Sequence, residues 1–251
     1  MIEPIQVFSS DCRQYKTAFE VFLRCTNQKT TAFNLLHPLV KNLPHHGRLL
    51  DVGAGDGTLT GMLAPYFEDT LALEPNAELG EKLRRRCPGV NILPKRIDDV
   101  HMNLHADLIL CSHVLYYIDR SKWMAVLDKL ASWLAPGGTL VCVLQNPSTD
   151  CMRMVEYLYQ DHFDLSSLAQ RFDIFAGHRY RQDLRTLPSM IEAPDEDTAY
   201  TIAEFVLNVV PMREPVPRDL LLDHVNRFFR GPDGLYRFSC DQDFLVIQHR
   251  R

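Results

Sequence analysis

The chain has 251 residues, 46% hydrophobic and 24% charged, a balance that excludes intrinsic disorder and fits one well-cored domain with at most an appended subdomain. A formal net charge of −5 gives no general attraction to phosphate backbones or anionic lipid, so neither nucleic acid nor membrane is an expected partner. The start carries no signal or transit pattern, no run reaches about eighteen apolar residues, and seven scattered cysteines lack CxxC spacing. Reduced thiols, no metal site and a cytoplasmic location are expected.

Helical patterning comes first. Tyr15, Phe19, Phe22 and Leu23 recur at three- and four-residue spacing, and Phe33, Leu36 and Val40 repeat the pattern, with Pro38 expected to bend or interrupt the second helix. Strand and helix patterns then alternate: strand RLLDV, a helix from Thr58 to about Pro65, strand TLALE, helix NAELGEKLRRR, strand VNIL and strand ADLILC. Helix DRSKWMAVLDKLASWL, a turn APGG and strand GTLVCVLQ follow. Such alternation requires a parallel sheet with helices on both faces. The arginines Arg84, Arg85 and Arg86 end a helix where positive charge complements the dipole, and are expected to form a solvated face. Asn146-Pro147 is expected to be a turn.

After Cys151 the rhythm changes. RMVEYLYQDHF and DLSSLAQRF look helical, HRYRQDLRTL alternates as a strand, DEDTAYTIAEFVLNVV and RDLLLDHVNRFF are helical again, and LYRFSCDQDFLVIQH is strand-like. The expected divisions are 1–44, N-terminal helices serving as a lid; 45–149, a cofactor-binding core; and 150–251, substrate-shaping helices and the last two strands within the same domain.

The stretch RLLDVGAGDGTLT carries the chemistry. Gly53, Gly55 and Gly57 alternate between a first strand and a first helix, where doubly wound sheets bind ligands, and glycine at that density implies positive φ or close approach to the backbone. The spacing is not that of a dinucleotide fingerprint, and no Lys-Ser or Lys-Thr of a phosphate loop follows. Asp51 and Asp56 would repel a pyrophosphate and suit a ligand with a ribose and a cationic group.

DxGxGxG, with LALEP ending in Glu74, ADLILCSHVLYYI and LAPGGTLVCV, resembles the class I S-adenosylmethionine-dependent methyltransferases from Leu49 to Leu144. The resemblance implies an α/β fold with a seven-stranded Rossmann-like sheet of order 3-2-1-4-5-7-6, N-terminal helices and a C-terminal helical cap. It implies S-adenosylmethionine as cofactor and S-adenosylhomocysteine as product. The cofactor residues it implies are Asp51, Gly53, Ala54, Gly55, Gly57, Glu74, Pro75, Ile97, Asp98, Cys111 and Ser112, with Glu74 taking the two ribose hydroxyls.

FSSDCRQYKTAFEVFLRCTNQ, VLYYI and RFSCDQDFLVI resemble the histamine N-methyltransferase family, whose N-terminal segment and last strand close over the amine. This implies a monomer and a substrate shell of Tyr15, Phe19, Asn27, Gln28, His113, Tyr116, Tyr117 and Cys240. Asn27 and Gln28 stand where that family presents a glutamate, Cys240 near its asparagine and His113 in place of a glutamine, which points to a small acceptor other than histamine. His113 and Tyr117 are the candidate catalytic residues: a neutral amine needs only alignment, whereas a hydroxyl would need His113 as base. Tyr116 and Tyr117 could hold a sulfonium by cation–π attraction. An O-methyltransferase, and a protein that modifies peptide or RNA or only binds, are the alternatives.

Overall fold

The computed structural model describes residues 3–10, 12–101, 104–210 and 214–250. It contains two compact units. A sheet unit comprises residues 29–144, 164–187 and 243–251, and a helical unit comprises 1–28, 145–163 and 188–242. The expected segment 1–44 is therefore divided after Gln28, and 150–251 contributes to both units.

In the sheet unit the strands are β1 (Arg48–Val52), β2 (Asp69–Leu73), β3 (Asn91–Leu93), β4 (Ala106–Ser112), β5 (Leu134–Gln145), β6 (Tyr180–Leu187) and β9 (Gln242–His249). They form one sheet of order β3-β2-β1-β4-β5-β9-β6, which is 3-2-1-4-5-7-6 when only its own strands are counted. β1 pairs in parallel with β2 and β4, and β4 with β5. All seven residues of β4 are buried, and its middle, Leu108 to Cys111, is the continuous apolar run of a strand covered on both faces.

Helix α2 (Gln28–Lys41) packs Ala32, Leu36 and Val40 against Leu49, Leu108, Val141 and Phe244 of the sheet. Pro38 does not interrupt it: the helix runs three residues further, and the Pro38 carbonyl accepts the N–H of Asn42. Helix α3 (Thr58–Leu63) gives way to a 3-10 turn at Ala64–Tyr66, where Pro65 sits in the first turn and needs no amide donor. Helix α4 (Ala77–Arg86) is capped by Asn76, whose Oδ1 accepts the Leu79 N–H at 2.9 Å, and it covers Ala54 and Ala72 with Leu83 and Cys87. Helices α5 (Trp123–Ser132) and α7 (Leu165–Ala176) complete the unit.

The expected turn APGG lies inside β5. Ala106 pairs with Leu134 and Leu108 with Thr139, so the residues between bulge out of the ladder, with Gly137 at φ 80°. A Cβ on Gly138 would stand 2.8 Å from the Ala106 carbonyl oxygen, so strand proximity excludes other residues there.

In the helical unit, α1 (Arg13–Cys25) buries Tyr15, Ala18 and Phe22 on one face. The unit also holds α6 (Asp150–Tyr159), α8 (Glu196–Asn208), α9 (Arg218–Phe228) and an antiparallel hairpin of β7 (Met190–Ala193) and β8 (Tyr236–Ser239). The closing strand-like run is thus two strands, β8 and β9, parted at Cys240-Asp241. Asn146-Pro147 is a turn, as expected, with Asn146 Oδ1 accepting the Ser148 N–H. Cys87, Cys111 and Cys142 of the sheet unit, and Cys151 and Cys240 of the helical unit, are buried free thiols. Among the described residues no group of three or more His, Cys, Asp or Glu could hold a metal, and no helix is long and apolar enough to cross a membrane.

Candidate active site

The loop after β1 is shaped by the protein's own packing. Gly53, Gly55 and Gly57 have φ of 72°, 61° and 80°, all left-handed. A Cβ on Gly53 would overlap Val114 Cγ2, and one on Gly57 would stand 2.6 Å from Leu83 Cδ1. At those two positions the close approach read from the sequence is made by side chains of this chain. The N–H groups of Gly53 and Ala54 both donate to the Leu73 carbonyl, at 2.8 and 3.0 Å, holding the loop over the end of β2.

Three carboxylates surround the loop. Asp51 is buried and its Oδ2 accepts the Thr60 hydroxyl at 2.6 Å, which joins the end of β1 to α3. Burial raises its pKa to about 6, against the Thr60 bond and the Lys29 ammonium, which lower it. Glu74 is also buried: Oε2 accepts the Gly55 N–H at 2.7 Å and Oε1 the Asn76 N–H at 2.8 Å. Desolvation raises its pKa in spite of these bonds. Asp56 accepts from the Thr58 N–H and hydroxyl and from Arg86, 2.6 Å away. Arg86 is therefore not part of a merely solvated face, and Arg84 pairs with Glu81.

Two contributors to this loop were not read from the sequence. Lys29, in the first turn of α2, has its ammonium desolvated and its pKa lowered, and it lies within electrostatic reach of Asp56 and Asp51. Thr60 fixes the Asp51 carboxylate. Thr60 stands in the first turn of α3, a position from which its hydroxyl reaches the strand end, whereas Lys29 has no local signal.

At the exit of β4, Cys111 and Ser112 are buried, and the Ser112 hydroxyl has no hydrogen-bond partner among the described residues. His113 follows with φ 60°, its N–H donating to Val143 at 2.8 Å. A non-glycine residue held there is under backbone strain, as is common at functional sites. The tyrosine pair is not extended: Leu115–Tyr117 is a 3-10 turn that buries Tyr116 and leaves Tyr117 half-exposed. The Trp123 indole N–H clamps this turn, bonding to the carbonyls of Leu115 and Ile118 at 3.0 and 2.9 Å. The rings of His113 and Tyr116 stack at 6.0 Å.

Of the remaining expected cofactor residues, Pro75 is exposed beside Glu74, Ile97 is buried and Asp98 is exposed, in a 3-10 turn. Asp98 lies 3.6 Å from Lys122, and the Ile97 carbonyl accepts the Lys129 ammonium at 2.8 Å.

The other expected substrate residues belong to the helical unit. Tyr15 and Phe19 stack at 5.9 Å and both pack on Phe205 of α8, a core arrangement. Asn27 Oδ1 accepts the Met190 N–H at 2.9 Å. Gln28 is buried, donating from Nε2 to the Cys240 carbonyl at 2.9 Å while its own carbonyl accepts from Gln242 at 3.0 Å. Cys240 lies just before β9 rather than on it; its Sγ is 3.5 Å from the Thr26 hydroxyl, and burial pushes its pKa up to about 12. These polar groups thus bind one another and tie the end of α1 to the β7-β8 hairpin.

The sheet-unit donor set fits S-adenosylmethionine. Glu74 spends two of its roughly four acceptor sites on backbone N–H groups, which leaves enough acceptor capacity to suit a vicinal diol. The Ser112 hydroxyl, unpartnered among the described residues, stands at the carboxyl end of a central strand, where such sheets take ligands.

Comparison with known proteins agrees. The profile of a methyltransferase domain family matches residues 25–193. No curated protein matches the sequence. Among solved structures, a candidate methyltransferase from Bacillus halodurans superposes with a TM-score of 0.58 at 12% identity, over 83% of this chain and 95% of that one. The N-methyltransferase NodS from Bradyrhizobium japonicum superposes with a TM-score of 0.55 at 14% identity, over 92% and 97%. Its complex with S-adenosylhomocysteine gives 0.53 at 13%, over 96% and 100%. With the sheet order and the glycine loop, these matches place the chain in the methyltransferase domain family, as an enzyme of class I that uses S-adenosylmethionine.

Proposed function

We propose that the enzyme methylates a nitrogen of a small molecule, an amine or heterocycle other than histamine, and acts as a monomer. The observation that carries this reading is the exit of β4, where a strained His113, buried Tyr116 and half-exposed Tyr117 form an aromatic wall braced by Trp123. The likeness to NodS, described as an N-methyltransferase, supports nitrogen, as does the resemblance of the N-terminal segment to histamine N-methyltransferases.

Bound S-adenosylmethionine supplies an already activated methyl group. The chain's own task is to hold the nucleophile in line, exclude water and keep the acceptor unprotonated. Asp51, Asp56 and Glu74 give the loop an anionic surround suited to a sulfonium cation, while Gly55 and Asn76 pin the Glu74 carboxylate. Tyr116 and Tyr117 offer ring faces and phenols that orient a small acceptor.

A second reading, O-methyl transfer, rests on His113, whose imidazole leaves the strand where a base would be needed. Modification of peptide or RNA has weaker support, given the net charge of −5. Transfer of an isotope-labelled methyl group into a panel of amines, imidazoles, phenols, carboxylates, peptides and RNA, read by mass spectrometry, tests all three. Label in a small amine or heterocycle is expected; label only in phenols, peptide or RNA would overturn the first reading.

A further inference from the structure

Within the helical unit a cleft of about 610 Å³ lies among the N-terminal segment, α1 and α8. Its lining includes Phe8, Arg13, Ala18, Tyr200, Glu204 and Arg218. The N-terminal segment is anchored as a wall: Ile5 N–H donates to the Val216 carbonyl, Arg218 N–H to Glu3, and Phe8 N–H to Asn208 Oδ1.

Glu204 is out of place in an ordinary helix packing. It is only 9% exposed, it sits between buried Ala203 and Phe205, and it lies in the C-terminal half of α8, where the helix dipole disfavours negative charge. Oε1 accepts the Gln6 N–H at 2.8 Å and the Tyr200 hydroxyl at 2.9 Å. Oε2 takes no hydrogen bond from a described residue, and no described cation pairs with the carboxylate. Glu204 thus lines the cleft with one carboxylate oxygen fixed and the other unpartnered among the described residues.

The neighbouring groups fix it without neutralising it. The Tyr200 phenol has its pKa raised by burial and by Glu204, so it remains a donor. Arg218 is engaged elsewhere: its guanidinium lies 5.1 Å over the Tyr200 ring and 3.9 Å from Glu3. A cleft that orients one carboxylate oxygen and leaves the second for a cation is a recognition site for positive charge.

We propose that this cleft binds a small protonated amine, its ammonium on Glu204 Oε2 and its carbon body against Phe8 and Ala18. The inference is independent of the methyl acceptor, since it concerns binding in the absence of cofactor. Calorimetry on the full chain with phenethylamine, agmatine and spermidine, and with phenethyl alcohol as the uncharged control, tests it. At least one amine is expected to bind saturably and the alcohol not. Glu204→Gln keeps an acceptor for Gln6 and Tyr200 but removes the charge, and is expected to weaken that amine at least tenfold with affinity for S-adenosylhomocysteine unchanged. Thr201→Lys, one turn from Glu204 on the cleft wall, supplies an internal ammonium and is expected to do the same. Failure of all three amines to bind, equal binding of the alcohol, or undiminished amine binding in either folded variant would overturn the proposal.

Discussion

The Gly55 N–H and Glu74 Oε2, 2.7 Å apart, join the middle of the glycine loop to the end of the second strand, while the other Glu74 oxygen accepts from Asn76. The carboxylate that the family resemblance assigns to the ribose therefore also holds the loop in shape. Glutamine has only one acceptor oxygen, so in Glu74→Gln one backbone N–H must face an amide donor. A loss of about 1–3 kcal/mol in stability without cofactor is expected in denaturant titrations. Glu74→Ala should in addition weaken S-adenosylhomocysteine binding by roughly 1.5–3 kcal/mol. Unchanged calorimetric affinity in Glu74→Ala would place the ribose elsewhere.

Gly53→Ala forces a methyl group into Val114 and keeps a positive φ, so a cost of about 1–3 kcal/mol is expected. Adding Val114→Ala makes room without relieving φ. A double-mutant cycle should return a favourable coupling above about 0.5 kcal/mol, and strict additivity would show that Val114 is not what excludes the side chain.

Asp51 has its pKa raised to about 6 from 3.8, so between those values the folded state binds more protons than the unfolded chain. Its contribution to stability therefore falls as pH rises from about 4 to 6, by about 3 kcal/mol at most, and the burial cost is complete above that window. Asp51→Asn keeps an acceptor for Thr60 and removes the titration. Its melting temperature relative to wild type should accordingly be higher at pH 8 than at pH 4.5; a difference independent of pH would contradict a raised Asp51.

His113 separates nitrogen from oxygen chemistry. Asn tolerates positive φ and cannot serve as a base, so His113→Asn removes the imidazole while sparing the backbone. Under the amine reading kcat should fall less than about tenfold, whereas loss of a general base costs about 10²–10⁴. Single-turnover methyl transfer to the acceptor found in the panel measures the difference.

What the sequence made legible was whatever is local or periodic. The alternation of strands and helices called for a parallel sheet, and the family resemblance carried by the glycine triplet and by Glu74 at a strand end implied the order in which its strands lie. Pro65 stopped α3 as read, yet Pro38 did not stop α2, because burial of Leu35, Leu36 and Val40 sustains that helix through the lost amide bond. Contacts between distant segments were not legible. Nothing in the neighbourhood of Arg86 announces Asp56, thirty residues away, and nothing near Gln28 announces Cys240. The close approach to Gly53 and Gly57 was anticipated, but its agent, Val114 and Leu83, required the packed structure.

The buried thiols make the chain its own two-channel unfolding reporter. Burial raises the pKa of Cys87 and Cys151, and contact with Cys111 together with burial raises that of Cys142, so thiolate is scarce and alkylation in the native state slow. Cys87 and Cys142 lie in one unit, Cys151 and Cys240 in the other. Pulse alkylation followed by peptide mapping would time the opening of each unit separately, without a single introduced label.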